Sequence, residues 1–200
     1  MTFSIIVHDT YRTPGACRTT RSLSDHPVTV RRMREVPTPA DEARFWQLIE
    51  SAWERTDPAA NELRAALIGR GDDEQAYALD PHLSNFLTQL ERSTADLPSP
   101  DLTALDRVLE RKLFDLDRSD IHEYTDGSDD GFLYCRGFIV AMGRTFYDAV
   151  IAEPEVAVLD AECESMCYFF AHLHDKRFGD FPETGSGISR ETGSNPAGWN

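Results

Sequence analysis

Long apolar runs are missing from this sequence: nothing in its 200 residues approaches the ~20 consecutive apolar side chains that cross a bilayer, which argues against a membrane-spanning helix. A secretion signal is missing too. Ile5-Ile6-Val7 is short and has no basic residue before it, so the chain is expected in the cytoplasm. Cysteine is scarce. Cys17, Cys135, Cys163 and Cys167 are too few and too irregularly spaced for a disulfide framework, and the expectation is buried free thiols. There is no glycine-rich phosphate loop and no serine elbow; Gly69-Arg70-Gly71 reads only as a helix stop. Nothing calls for a cofactor. Apolar residues are not lacking: at 40% of the chain they suffice for a packed core and exclude a wholly disordered protein.

Basic residues are in deficit, 20 against 35 acidic, for a net charge of −15. The deficit is uneven. Residues 1–36 hold six arginines against Asp9, Asp25 and Glu35, a balance of +3, which leaves 14 basic and 32 acidic side chains, or −18, in residues 37–200. A body that acidic repels phosphate backbones, so nucleic acid is excluded as a partner and a protein, a basic one by complementarity, is expected. Residues 1–37 read as an irregular segment ending at Pro37-Thr38-Pro39. Met33 stands just ahead of that boundary. Either translation starts there or the segment is a native basic tail folding back on the acidic body.

From Thr38 the pattern is helical. Thr38-Pro39-Ala40-Asp41 has the form of a helix start, and Phe45, Trp46, Ile49 and Trp53 follow at spacings of three and four. A second helix opens at Pro58, and Asp72-Asp73-Glu74 is the acidic start of a third carrying Phe86, Leu87 and Leu90, with Pro81 bending or splitting its beginning. Asp101 opens a fourth through Leu116, Phe132–Ile151 is a fifth, and Pro154 opens a long sixth presenting Val158, Cys163, Met166, Cys167 and Phe170. Each apolar stripe is narrow enough to cover a shared core from one side. The expected fold is all-α: one bundle of about six helices over residues 38–178, followed by a loosely ordered tail, 179–200, pinned by Trp199.

Three passages carry a resemblance. They are Asp41-Glu-Ala-Arg-Phe-Trp-Gln-Leu-Ile-Glu50, Leu97-Pro-Ser-Pro-Asp-Leu-Thr-Ala-Leu-Asp106, and Ser128-Asp-Asp-Gly-Phe132 with Arg136, Gly143-Arg144, Tyr147-Asp-Ala149 and Glu153-Pro154 behind it. In order and spacing they resemble the bacterial family called domain of unknown function 4240 (DUF4240). The resemblance covers roughly residues 41–178 and implies a helical domain without naming an activity. The chain departs from the family pattern at the polar stretch 116–124, at Cys135 and at Phe138.

Two readings attach to the Ser128 turn. In one, Ser128 or Asp129 caps the next helix and Asp130 sits favourably against its dipole. In the other, Asp129, Asp130, Arg136 and Arg144 form a ligand-binding pocket, the arginines falling on roughly one helical face as anion clamps. Cys163, Cys167, His172 and His174 are residue types that zinc uses, but their spacing fits no common site, and core thiols are the reading taken, with no metal. His122 with Glu123, Asp120 and Asp126 is either a polar site or a solvated loop. The function these readings support is an acidic interaction domain in the manner of an adaptor, a regulator or a toxin-neutralising partner, leaning away from an enzyme. The alternative is a small-molecule binder or enzyme built on the same four charged residues.

Overall fold

The computed structural model describes residues 34–69 and 76–199. The basic segment up to Met33, its proposed start, Cys17, the stop at Gly71 and the acidic run Asp72-Asp73-Glu74 lie outside the described residues. Among those described there are nine α-helices and no strand, so the chain is all-α, with more helices than six.

The local chemistry sets most helix starts. Helix α1 (Pro39–Glu54) opens with a capping box: Thr38 Oγ1 accepts the Asp41 amide at 3.2 Å and Asp41 Oδ2 accepts the Thr38 amide at 3.0 Å. Asp57 Oδ1 accepts the Ala59 amide at 2.8 Å to start α2 (Pro58–Ala66), which a 3₁₀ turn, Leu67–Gly69, extends. Pro81 stands in the first turn of α3 (Asp80–Thr94), and Ala76 and Tyr77 before it are helical but separated from α3 by a turn at 78–79, so the start of this segment is split. Pro100 does the same for α4 (Ser99–Asp115), and the short α5 (Ser119–His122) follows.

The segment read as one helix over 132–151 is two, α6 (Asp129–Ala141) and α7 (Arg144–Ala152), divided at Gly143. Gly143 has φ 90°, a conformation that side-chain-bearing residues rarely adopt, and a Cβ there would strike Glu50 and Arg64. The long helix expected from Pro154 is also broken. A 3₁₀ turn, Pro154–Val156, gives way to non-helical chain, then α8 (Glu164–Cys167) and α9 (Phe169–Phe178).

Helix α6 departs furthest from the one-sided stripe. Buried positions run without interruption from Cys135 to Ala141, because α4, α7 and α8 all pack against it. Gly137 permits the closest of these approaches: a Cβ there would meet the Cys163 carbonyl and Cys167 Sγ at 2.6 Å. Around this axis α1 packs on α2, α3 and α4, and α9 on α4. Trp53 stacks on Phe86 at 4.6 Å and donates its indole N–H to the Ala141 carbonyl at 2.7 Å, uniting α1, α3 and α6.

Residues 179–199 form no helix or strand, yet the expected loose tail is seated on the bundle along its length. Asp117, wholly buried, accepts the Gly193 amide (3.0 Å), the Asn195 amide (2.8 Å) and the Trp199 indole N–H (2.9 Å), so Trp199 does pin the end. Arg190 makes a buried ion pair with Asp106 at 2.7 Å. Burial pushes the Asp106 carboxyl up, and Arg190 opposes that shift. Burial pulls the Arg190 guanidinium down, but Asp106 and Glu110 outweigh it and hold it charged.

Removing one partner of a buried pair leaves the other charge uncompensated. Arg190→Ala is therefore expected to lower the urea-unfolding free energy by about 3–5 kcal/mol, part of which Asp106→Asn restores in the double variant; a loss below about 1 kcal/mol contradicts this role. Gly143→Ala is expected to lose about 1–3 kcal/mol in the same assay through its backbone conformation alone.

Candidate functional site

The structure separates the four charged residues singled out in the sequence. Asp129 and Asp130 are exposed in the first turn of α6, where Ser128 Oγ caps by accepting the Gly131 amide at 3.1 Å. Arg144 is 66% exposed and lies 3.4 Å from Asp148 within α7. Arg136 is fully buried and donates to the Leu113 carbonyl (3.0 Å), the Arg190 carbonyl (2.9 Å) and Thr192 Oγ1 (3.1 Å), with its guanidinium 4.8 Å from the Phe132 ring. Burial lowers its pKa, and Asp117 opposes that shift. One backbone link joins the turn to this network: Thr192 Oγ1 donates to the Asp129 carbonyl at 2.7 Å. Arg136 is thus an internal tie between α4, α6 and the tail, far from the exposed setting an anion clamp needs.

The remaining candidates also resolve into structure. Burial pushes the Cys135 and Cys167 thiols up to about 12 and Cys163 to about 11, well away from a reactive thiolate. No group of three His, Cys, Asp or Glu side chains among the described residues is placed to hold a metal ion. His122 lies edge-on to Phe132 at 4.9 Å and near Trp199 at 5.3 Å, so aromatic contacts hold its ring. His174 Nδ1 donates to the Asp180 carbonyl at 2.7 Å, and in the neutral ring Nε2 then accepts from Ser99 Oγ at 2.7 Å. That orientation is the one a serine nucleophile uses. Neither residue lines any of the four cavities described for the chain, however, and the pair ties α9 to the start of α4.

What the structure assembles is an acidic face that the sequence reading missed. Between Asp160 and Glu164 the chain is not helical until its last residue. Buried Ala161 and Cys163 alternate with exposed Asp160, Glu162 and Glu164, which puts three carboxylates on the outside. The Cys163 amide bonds the Tyr134 carbonyl at 3.0 Å, laying this run beside α6, where Asp130 and Asp126 add to it. The crowding registers in the titration of Glu162, which partial burial and then Asp126, Asp160 and Glu164 raise above the ordinary glutamate value. Asp126 itself is lowered by its hydrogen bonds from Ser128.

Glu164 also stands at the mouth of a groove of about 470 Å³ between α3 and α8–α9. Leu87, Tyr168, Phe169 and Leu173 supply its apolar lining, and a Lys176–Glu91 ion pair of 2.7 Å stands at the other end. The alternation of small apolar and acidic residues from 160 to 164 was the available signal for the acidic face. A helical reading of that stretch keeps Asp160 and Glu164 on one face but turns Glu162 to the opposite side, and so conceals it.

A family model described as protein of unknown function (DUF4240) matches residues 40–176. The chain belongs to this family. A search of curated proteins and one of solved structures give no match. The DUF4240 match runs from α1 to near the end of α9, so it takes in both the acidic face and the groove. The tail, which accepts two hydrogen bonds from Arg136 and sends Arg190 to Asp106, lies beyond it.

Because the folded state binds the Glu162 proton more tightly than the unfolded chain does, this group favours folding below its unfolded pKa of about 4.3 and loses that contribution as pH rises through its raised folded value. Glu162→Gln should therefore raise the melting temperature at pH 7 by about 1–2 °C, an advantage that disappears near pH 4 in a thermal series. An unchanged or lower melting temperature at pH 7 contradicts the crowding.

Proposed function

We propose that this DUF4240 domain is a non-catalytic interaction module that receives a basic protein partner on its acidic face. The observation that carries the reading is the state of the carboxylates. Asp130, Asp160, Glu162 and Glu164 have no ion-pair partner among the described residues, while Glu42, Glu50, Asp101 and Asp115 are each held by a lysine or arginine of the bundle. Unpaired like charges on one face repel one another and attract a complementary surface. Such a field accelerates encounter and selects partners by sign.

The pocket alternative draws less support. Arg136 is sealed inside, Arg144 faces Asp148, and neither lines the same cavity as Asp129 or Asp130. No helix of the described residues is long and apolar enough to cross a membrane, and we take the encounter to occur in the cytoplasm.

Affinity capture from native lysate tests the reading with the wild-type chain, with Asp130→Ala, and with a triple variant, Asp160→Lys, Glu162→Lys and Glu164→Lys, whose fold is checked by circular dichroism. The expected result is a salt-sensitive protein partner held by the wild type and lost from the triple variant. Identical captured proteins from both would overturn it.

A further inference from the structure

The acidic face and the groove between α3 and α8–α9 meet at Glu164, which belongs to both. We infer that together they form one docking seat for an amphipathic basic segment of the partner protein, its apolar side chains in the groove and its lysines or arginines against Glu164, Glu162 and Asp160. The inference rests on the acidic-face reading and specifies what that face receives.

Shape comes first. The lining follows α8 and α9, two helices that meet at the non-helical Tyr168, from Glu164 to Lys176, and includes Leu87, Thr88 and Glu91 on α3. An apolar-lined trough between helices, with Leu87, Tyr168, Phe169 and Leu173 along it, suits a segment that presents apolar anchors on one face, as an amphipathic helix does.

The apolar lining has an exposed continuation. Phe181, 60% exposed, stands 5.9 Å from the His172 ring, and His172 stacks at 6.0 Å on Tyr168, whose ring lies 5.0 Å from the Arg190 guanidinium. Aromatic rings held in place by such contacts, Tyr168 partly buried and Phe181 and His172 exposed, are preorganised anchors of the kind that dominate interface energetics.

Charge then chooses among occupants. At one end Lys176 and Glu91 neutralise each other, so that end is closed to a strong ionic contact. At the other, Glu164 opens onto Glu162, Asp160 and Asp126 with no cation paired to them. The seat is therefore polar in one direction only. It selects a segment whose positive charges lie beside, and toward one end of, its apolar stripe.

Fluorescence anisotropy on the full chain tests this with two labelled 14-residue peptides of equal charge: an amphipathic leucine–lysine helix and a glycine–lysine peptide without apolar anchors. Thr88→Trp and Ser165→Trp fill the groove from exposed positions without changing charge, and Glu162→Lys with Glu164→Lys reverses its mouth. The expected result is that the leucine–lysine peptide binds about tenfold more tightly than the glycine–lysine peptide. Its affinity should fall about tenfold in either tryptophan variant and again on charge reversal, while glycine–lysine binding is unaffected by tryptophan. If both peptides bind alike and neither tryptophan matters, the groove plays no part; the seat is overturned and the acidic face stands. If charge reversal changes neither peptide, the acidic face and the seat fall together.

Discussion

A guanidinium buried where no water reaches has to be given acceptors by the protein, and that demand organises this fold. Arg136 sits in the middle of the helix that all the central neighbours touch, wholly out of solvent. Its own helix has no free carbonyls to offer, since those are spent on the helical ladder. The acceptors come from the end of α4, at Leu113, and from the tail, at Arg190 and Thr192. The tail is therefore a required part of the core even though it contains no regular structure. Stripping it away would orphan donors on α6 and leave Asp106 and Asp117 buried without their partners.

The same accounting explains why the tail follows one path. Asp117 gathers two backbone amides and an indole N–H from residues 193–199, Asp106 takes Arg190, and Ser186 donates to Glu110 at 2.7 Å. Each link is directional, so together they fix register where helix geometry cannot. The bundle thereby absorbs its inward charges into structure, while outside some charges pair, as Lys176 does with Glu91, and those at 160, 162 and 164 do not. Function, on this view, is found among the leftovers: the carboxylates at 160, 162 and 164 and the groove they border.

Much of the architecture could be read directly from the chain. The caps at Thr38, Asp57 and Ser128 and the prolines at 39, 58, 81 and 100 act within a turn of their own position, so their effect is local and legible. The family assignment rested on the same short-range features. The division at Gly143 and the loss of helix between 157 and 163 were missed because apolar spacing there satisfies a helical period while the backbone does not. Among the proposed site residues, Asp129 and Asp130 lie at the helix start, as a cap reading requires. Arg136 and Arg144 gave no hint that one would be sealed inside and the other left in solvent, because eight residues of shared helical face mean nothing once a glycine turns the chain between them.

What the sequence determined by itself was class and sign: an all-α domain, from the recurrence of apolar residues every three or four positions, and a strongly acidic body, from a count of its charges. Those properties depend on near neighbours or on simple totals. Which charges are buried, which are paired and which stand together unpaired was decided only by tertiary structure. Arg190 meets Asp106 across 84 positions of chain, and Thr88 faces Ser165 across a groove, through packing that no local pattern encodes.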